Sequence, residues 1–238
     1  TMGGAGRQTL FLGDSNMEQY MPRIVRLLQD NHGDTRGAIF VTCGGTPPIP
    51  GYDVSGCPKG RKLIPLFEEQ VGKDPRIDRI VIAALWPLYF KNNNNPNTMN
   101  GVSMSAISAQ EKALQSFGDL IGRNVSRGKK VIVVLGIPTG NQLDPRFAIQ
   151  RSFSGVSIKR PQVLEKEAFQ KSTLLITEKI KNIASSHGAE VIDPLDFLSD
   201  ANGCFFESQD GPIRYNGSHL RPAYVREHLK YLDETVAP

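Results

Sequence analysis

Five short apolar segments, each of a length suited to one β-strand, alternate along the chain with stretches of helical periodicity. The apolar segments span residues 9–12, 38–42, 79–85, 130–136 and 190–193, and the helical stretches span 17–28, 63–71, 108–127, 163–186 and 223–233. Alternating strands and helices predict a parallel sheet with helices on both faces. We therefore predict an α/β fold of three layers, α/β/α, around a central parallel sheet of about five strands.

The length of the chain fits a single domain. Its 238 residues, of which 39% are hydrophobic and 22% charged, can enclose one full core. We predict one domain over residues 9–238, preceded at residues 1–8 by a Gly-rich flexible linker or a cloning remnant. No run of about 18 apolar residues is present, so we expect no transmembrane helix, and no signal peptide is visible.

The net charge and the cysteines of the chain restrict which nucleic-acid, metal or cofactor partners it can have. The net charge of +4 is only mildly basic, and the Lys and Arg residues are scattered, which argues against a nucleic-acid partner. The three cysteines, Cys43, Cys57 and Cys204, form no C-x-x-C pair, so we expect no metal site, and nothing indicates a cofactor. Cys43 and Cys57 flank a Pro/Gly-rich loop. They could form a disulfide or remain buried thiols, and an oxidising compartment would favour the bond.

The first strand runs directly into the turn Gly13-Asp14-Ser15-Asn16, and a helical pattern follows. Parallel α/β sheets bind ligands at the carboxyl ends of their strands, where this turn falls. A helix N-terminus also offers unpaired N–H groups to an oxyanion. Ser15 is therefore a candidate nucleophile. The alternative is that Asp14 and Ser15 are only turn and N-cap residues.

A serine needs a base, and the chain has four histidines. His32 lies in a polar stretch, His187 ends a predicted helix, and His228 lies inside the last one. His219 alone lies in a Gly/Ser loop between a predicted strand and a helix, from which it could reach the catalytic edge of the sheet. The alternative for any single histidine is a surface or capping residue.

Four further segments between the predicted strands and helices contain candidate site or loop residues. Gly44 and Gly45 open a loop whose backbone N–H groups could approach a ligand, or which is a plain loop. Trp86 follows the third strand, either at the edge that carries Ser15 or in the core. Residues 141–161 mix basic residues with phenylalanine and show no period, which favours a solvated loop over a wall of the site. Residues 204–215 predict a hairpin around Asp210.

Gly13-Asp14-Ser15 near the start, with Asn216-Gly217-Ser218-His219-Leu220 near the end, resembles the SGNH (GDSL-type) hydrolases. The more specific resemblance is to the periplasmic SGNH domains fused to membrane acyltransferase-3 proteins, which O-acetylate lipopolysaccharide O-antigen and related glycans. A Gly-Gly-Thr-Pro-Pro loop at 44–48, an apolar strand ending in Trp86 and a Cys-containing hairpin at 204–215 carry it. The resemblance covers residues 9–233 and implies the family's flavodoxin-like strand order.

The resemblance implies Ser15 as the nucleophile and His219 as the base. The family has Asp three residues before this histidine, where the chain has Asn216. Asn keeps some geometry without the charge, and in a serine protease the same exchange lowers kcat by about four orders of magnitude. The site would then act as a Ser–His dyad, oriented by a backbone carbonyl or Asp210, or it would be slow, or position 216 has been changed from its natural residue.

We expect an oxyanion hole with few hydrogen-bond donors. Residues 83–86 replace the block in which classical members carry an oxyanion-binding Asn, so the remaining donors are the N–H groups of Ser15 and of Gly44 or Gly45. We expect Asn16 and Trp86 to contact the substrate.

The leading hypothesis is acyl transfer through the serine to a cell-surface polysaccharide such as O-antigen, with ester hydrolysis as a side activity. The resemblance implies an acetyl donor delivered by a membrane acyltransferase-3 domain and a periplasmic location, as a soluble domain of an inner-membrane protein. One alternative is a stand-alone SGNH esterase or deacetylase. The other is a catalytically weakened glycan-binding module, which Asn216 favours.

Overall fold

A computed structural model describes residues 6–30, 35–90, 95–153, 155–159 and 161–238. His32, most of the linker predicted at 1–8 and most of a polar Asn-rich loop at 92–95 lie outside these ranges. The strands are β1 Gln8–Gly13, β2 Gly37–Thr42, β3 Tyr52–Asp53, β4 Ile77–Ala83, β5 Thr98–Met99, β6 Val102–Ser103, β7 Lys130–Val134, β8 Ile149–Ser152, β9 Gly155–Ile158, β10 Glu190–Ile192, β11 Ser199–Asp200, β12 Gly203–Cys204, β13 Glu207–Ser208, β14 Gly211–Pro212, β15 Arg214–Asn216 and β16 His219–Leu220. The α-helices are α1 Ser15–Glu18, α2 Met21–Asp30, α3 Leu63–Lys73, α4 Trp86–Tyr89, α5 Ile107–Ser126, α6 Lys166–Ser186 and α7 Pro222–His228.

The central sheet has five strands in the order β10-β7-β4-β1-β2, and every pairing in it is parallel. Counted along the chain, its strands run 2-1-3-4-5, which is the flavodoxin-like order. The predicted α/β/α fold with a five-stranded parallel sheet is therefore confirmed. The direction of the strand order reverses between β1 and β4, and a crevice opens at the carboxyl ends of the strands there.

Successive side chains of the central strands enter two separate cores, one on each face of the sheet, because side chains alternate along a strand. In β1, Leu10 and Leu12 pack into the core that also contains residues of α3, α5 and α6, and Phe11 packs into the core beneath α2 and α7. Burial on both faces explains why these strands read as continuous apolar runs. No helix within the described ranges is long and apolar enough to cross a bilayer.

The first helical stretch is two helices. The α1 helix ends at Glu18 and α2 restarts at Met21, with Pro22 in its first turn, where a residue without an N–H is tolerated. The sequence also suggests a capping box of Ser108 and Glu111. That prediction is wrong, because α5 begins at Ile107 without a side-chain cap.

The long segment after β7 is more regular than a solvated loop. It contains two short 3-10 turns, Asn141–Leu143 and Pro145–Ala148, and the exposed hairpin β8–β9. The hairpin expected over 204–215 is divided: β12 pairs with β11, and β13 pairs with β14 around Asp210. The last two strands, β15 and β16, form a separate antiparallel pair that carries His219 to the crevice.

Candidate active site

The turn after β1 is fixed by Gly13 and Asp14. A Cβ on Gly13 would lie 2.0 Å from the carbonyl oxygen of Ala83, so only glycine lets β1 pass β4 this closely. Asp14 is buried and caps α1: its Oδ1 accepts the N–H of Asn16 at 2.7 Å. Its Oδ2 accepts the Leu85 N–H at 3.0 Å and the Tyr89 hydroxyl at 2.6 Å. Asp14 therefore ties the turn to the loop after β4.

Ser15 meets His219 at this turn. Ser15 Oγ lies 2.8 Å from His219 Nε2, although the two residues come from opposite ends of the chain. On the other side of the ring, Nδ1 lies 3.1 Å from Asn216 Oδ1 and 3.1 Å from Ser218 Oγ. Serine, histidine and asparagine thus form one continuous hydrogen-bonded chain, in which Asn216 holds the position expected from the sequence.

The carboxamide of Asn216 is oriented by the backbone. The N–H of Ser218 lies 2.9 Å from Asn216 Oδ1, and an N–H can only donate, so oxygen rather than nitrogen faces the histidine. Nδ1 of His219 must then carry its proton, which leaves the lone pair on Nε2 directed at Ser15. The asparagine therefore fixes the tautomer that a general base needs, although it brings no charge.

Among the residues that the structure describes, His219 Nδ1 contacts Asn216 and Ser218, and neither is a carboxylate. The sequence suggests Asp210 as a residue that could orient His219, and this prediction is wrong. The Asp210 side chain lies 3.0 Å from His228 Nε2 instead. Burial lowers the pKa of His219 below its ordinary value, and the Coulombic effect of Asp14 raises it only in part. The imidazole is therefore neutral near pH 7, as a proton acceptor must be.

Gln19 joins the serine helix to the histidine strand. Its Oε1 accepts the Leu220 N–H at 2.9 Å, next to His219 in the chain. Its Nε2 donates to the Asn16 carbonyl at 3.0 Å and lies 3.3 Å from Asn16 Oδ1. One side chain thus links the residues that follow Ser15 and His219 in the chain.

The β15–β16 turn is also tied to the loop after β7. Buried Arg214 donates to the Pro138 carbonyl at 3.1 Å, and the Gly140 N–H donates to the Gly217 carbonyl at 3.2 Å. The pKa of Asp144 is lowered chiefly by its hydrogen bonds with Arg146, and a backbone hydrogen bond from Gly217 adds to this. Arg146 contacts the Asp144 carboxylate through both Nε and Nη2, the latter at 2.5 Å.

Ser15 and His219 line a shallow cleft of about 310 Å³, whose other walls are Glu18, Gln19, Pro22, Tyr215, Leu220 and Pro222. The Tyr215 ring stacks on the His219 imidazole, with the ring centres 5.5 Å apart and the planes 22° from parallel. Tyr215 is about half exposed, so its other face is open to a ligand. The cleft can admit a small acyl group beside the serine hydroxyl.

The Gly44–Gly45 turn follows β2 and is tied to the end of β1, just before Ser15. The Cys43 N–H donates to the Gly13 carbonyl at 3.1 Å, and the Thr46 N–H closes a turn onto the Cys43 carbonyl at 3.0 Å. Gly45, at φ +74°, occupies the left-handed region that favours glycine. Both glycines are exposed at the edge of the sheet that carries Ser15, whose own N–H is in the first turn of a helix and has no intrahelical acceptor.

The two residues expected to contact substrate are buried. Trp86 is 1% exposed, donates its Nε1–H to the Val134 carbonyl at 3.0 Å and packs on Phe117 in the core. It cannot contact a ligand in the cleft, because its ring lies inside the protein. Asn16 is 3% exposed and its Nδ2 is buried with no hydrogen-bond partner within the described structure. It is not among the residues that line the open cleft.

The three cysteines are free thiols. The sulfurs of Cys43 and Cys57 lie 3.7 and 3.8 Å from the same hydroxyl, Thr46 Oγ1, so the loop brings them together. The pKa of Cys57 is lowered, first by the backbone hydrogen bond from Gly60 and then by Thr46. Within the ranges that the structure describes, no three His, Cys, Asp or Glu side chains gather as metal ligands.

Several residues of the site are not predicted from the sequence. Gln19, Tyr215, Ser218 and Asp144 carry no motif of their own. Tyr215 could have been suspected because it precedes Asn216, Ser218 because it precedes His219, and Gln19 because it falls one helical turn after Ser15. Nothing in the sequence marks Asp144, since its contact with Gly217 joins distant segments.

A parallel sheet in flavodoxin-like order, with Ser15 after its first strand and His219 brought beside it from near the C-terminus, has the architecture of an SGNH hydrolase-type α/β domain. The model of one family, the SGNH domain fused to AT3 domains, matches residues 1–229. The chain therefore belongs to this SGNH family. No curated protein matches it in sequence.

Solved structures share the fold. The periplasmic domain of a lipopolysaccharide acetyltransferase from Salmonella ser. Paratyphi A aligns with a TM-score of 0.64 at 16% identity, over 97% of this chain and 84% of that one. A variant of an acetyl-xylooligosaccharide esterase from Geobacillus Stearmophilus aligns with a TM-score of 0.53 at 12% identity, over 99% and 96%. A GDSL-like lipase from Bacteroides thetaiotaomicron VPI-5482 aligns with a TM-score of 0.50 at 11% identity, over 96% and 88%.

Proposed function

We propose that this domain transfers an acyl group, in particular acetyl, through Ser15 to a hydroxyl of a cell-surface polysaccharide such as lipopolysaccharide O-antigen. The observation that carries the proposal is the 2.8 Å contact between Ser15 Oγ and His219 Nε2, with Nδ1 held by Asn216 Oδ1. A serine hydroxyl becomes a useful nucleophile when a base accepts its proton. Membership of a family fused to AT3 domains and the likeness to an acetyltransferase domain support acyl chemistry.

In the first half of the reaction, Ser15 Oγ attacks the carbonyl carbon of an acetyl donor while its proton passes to His219 Nε2. The carbonyl oxygen becomes an oxyanion, which the N–H groups of Ser15 and of Gly44 or Gly45 stabilise. One such donor is worth about 10²–10³ in kcat in a well-studied hydrolase. The donor's leaving group then takes the proton from His219, and an acetyl-serine remains.

In the second half, a hydroxyl of the acceptor sugar gives its proton to His219 Nε2 and attacks the acetyl-serine. The Ser15 Oγ–carbonyl bond breaks, the serine regains a proton from the imidazolium, and the sugar ester leaves. Water in place of the sugar gives hydrolysis as the side reaction. The exposed face of Tyr215 lies where an acceptor would enter the cleft.

The acetyl donor, in this proposal, is delivered by a membrane acyltransferase-3 domain, and the domain acts in the periplasm. The family description, which names fusion to AT3 domains, supports the partner. The likeness to a domain described as periplasmic supports the location.

The exchange Ser15→Ala tests the nucleophile. We expect hydrolysis of a small acetyl ester to fall to the background rate, because the acetyl-enzyme can no longer form. Ser186→Ala is the matched control, since Ser186 Oγ also lies 3.2 Å from a histidine nitrogen, Nδ1 of His187, but at an exposed helix end. Circular dichroism checks that both variants fold. Full turnover by the Ser15 variant would refute the mechanism.

Asn216 favours a second candidate, a glycan-binding module with weakened catalysis, because Nδ1 of His219 contacts an uncharged carboxamide. A serine-reactive phosphonate separates the two: it labels Ser15 in an acyltransferase, and an inert binding module remains unlabelled. A stand-alone esterase or deacetylase would label as well. It is distinguished by releasing acetate at an undiminished rate when acceptor glycan is added, whereas a transferase would divert acetyl groups to the glycan.

A further inference from the structure

Asn216 is followed by Gly217, and an asparagine before glycine is open to attack by the next backbone nitrogen on its own carboxamide. Glycine has no Cβ to hinder that approach. The chain contains three such pairs, at Asn100, Asn202 and Asn216. Only Asn216 faces the candidate base, because its Oδ1 lies 3.1 Å from His219 Nδ1. A chemical change at this asparagine would therefore act directly on the site.

The carboxamide carbon of Asn216 is activated as an electrophile. Its Oδ1 accepts hydrogen bonds from the Ser218 N–H at 2.9 Å and from the Ser218 hydroxyl at 3.3 Å, besides the His219 contact. Donors on a carbonyl oxygen draw electron density from its carbon, as in an oxyanion hole. The bond to the Ser218 N–H also folds the side chain back over the Gly217 peptide as an Asx turn.

The nitrogen of Gly217 has a carboxylate beside it. The side chain of Asp144 lies beside it, because a Cβ on Gly217 would lie 3.6 Å from Asp144 Cβ, and the Asp144 carboxyl is buried with a pKa held low, chiefly by Arg146, so that it is ionised. An ionised carboxylate there can accept the amide proton as the nitrogen attacks. The Gly217 carbonyl is bound by the Gly140 N–H at 3.2 Å, so the peptide is held on both sides.

We propose that Asn216–Gly217 is a self-modification site, at which intramolecular deamidation converts Asn216 into the aspartate that His219 lacks. The Gly217 nitrogen bonds to Cγ of Asn216 and loses its proton, the Cγ–Nδ2 bond breaks, and ammonia leaves with the added proton. A five-membered cyclic imide remains. Water then adds at Cγ, the bond from Cγ to the Gly217 nitrogen breaks, and an aspartate with an unaltered main chain results.

The donors around Oδ1 favour this outcome over the isoaspartyl product. The same carbon, Cγ, is attacked in ring closure and in ring opening to aspartate, and it is the carbon that Ser218 and His219 polarise. Asn216 and Gly217 are only half-buried, so water can reach the imide. Attack at the main-chain carbonyl, which would lengthen the backbone, receives no such help from these donors.

The expected consequence is a faster enzyme, and this part rests on the proposed Ser15 chemistry. The asparagine already fixes the tautomer, so the gain comes from charge alone. An opposite charge at this distance raises the pKa of a partner by about 1–3 units. The imidazolium formed in the reaction is stabilised accordingly, and kcat should rise by about tenfold to a thousandfold.

Mass spectrometry of tryptic peptides tests the modification. Freshly purified protein is incubated at mildly alkaline pH, and the peptide that begins at Tyr215 is followed over time. We expect it to gain the mass that accompanies replacement of NH₂ by OH, with fragment ions of aspartate, while acetyl-ester hydrolysis rises in proportion. The peptides containing Asn100 and Asn202 are internal references, and their deamidation should not track activity.

Two variants complete the test. Asn216→Asp should start at the raised activity and gain nothing, and Asn216→Gln should not gain, because its longer side chain closes a ring much less readily. An unchanged Tyr215 peptide while a reference peptide deamidates, or an isoaspartyl product, would overturn the proposal. NMR titration of His219 separates the two proposals: deamidation raises its pKa even if Ser15 hydrolyses no ester, and a mass change without that rise also counts against the inference.

Discussion

Gln19 offers a direct test of how the serine helix is held against the histidine strand. Gln19→Met keeps the length and packing of the side chain and removes both polar ends. The Leu220 N–H and the Asn16 carbonyl lose partners at 2.9 and 3.0 Å. Leaving a partly buried donor or acceptor unpaired costs about 1–3 kcal/mol. A free-energy loss of that size lowers the Tm of a domain of this length by roughly 2–12 °C.

The effect on catalysis should exceed what that loss of stability explains. Gln19 sets the approach of His219 to Ser15, and a displacement of about 1 Å between reacting groups can cost about 10²-fold. We expect kcat for a small acetyl ester to fall by about tenfold to a hundredfold with little change in KM, because the loss concerns alignment rather than binding. Urea denaturation and steady-state kinetics on the same preparation measure both effects.

Gln110→Met is the matched control for Gln19→Met. Gln110 Nε2 donates to the Met104 carbonyl at 2.9 Å, and its helix α5 packs on the face of the sheet opposite α7. This variant should lose stability and keep kcat. If Gln19→Met retains full kcat while its stability falls as in the control, Gln19 is only a structural link, and the reasoning on alignment is wrong.

Two further predictions follow from titratable groups. Because burial lowers the pKa of His219, kcat/KM should rise with pH through a midpoint below about 6.5 and be level by pH 7; a midpoint above that value would contradict a buried neutral base. Asn216→Asp should move this midpoint upward. The hydrogen bonds from Gly60 and Thr46 lower the pKa of Cys57, whereas burial raises that of Cys204, so iodoacetamide should alkylate Cys57 first. In an oxidising buffer Cys43 and Cys57 should form a disulfide that blocks this reaction until it is reduced, and equal alkylation of Cys57 and Cys204 would refute the assignment.

Most of the fold can be predicted from local patterns of apolar residues in the sequence. Parallel strands buried on both faces must be apolar throughout, so β1, β4 and β7 are visible as continuous runs. The break between α1 and α2 was also visible in principle, because Pro22 fits only the first turn of a helix. The division of the 204–215 hairpin was not, because Cys204 pairs backward with Ser199 in a short hairpin of its own rather than forward across Asp210.

The candidate site likewise contains some residues that the sequence predicts and others that only the structure reveals. Ser15 and His219 can be chosen from the sequence because their residue types and their places after strands restrict their roles. The orientation of the Asn216 carboxamide cannot, because it depends on the Ser218 N–H. For Trp86 the sequence predicts a site residue where the structure has a core residue. Its position after β4 suggested the cleft, but a large ring that donates to the Val134 carbonyl is more stable within the core.

Asp14 explains why His219 depends on Asn216 even though a carboxylate lies nearby. Both oxygens of Asp14 are occupied, by the N–H groups of Asn16 and Leu85 and by the Tyr89 hydroxyl, and burial raises its pKa. It acts on the imidazole only through space, where it offsets part of the effect of burial. Moving Asp14 toward Nδ1 would leave those buried donors unpaired, at about 1–3 kcal/mol each. Asp14 therefore cannot supply charge directly at Nδ1, and in the proposed mechanism the chemistry of position 216, which contacts that nitrogen, decides how readily Ser15 is activated.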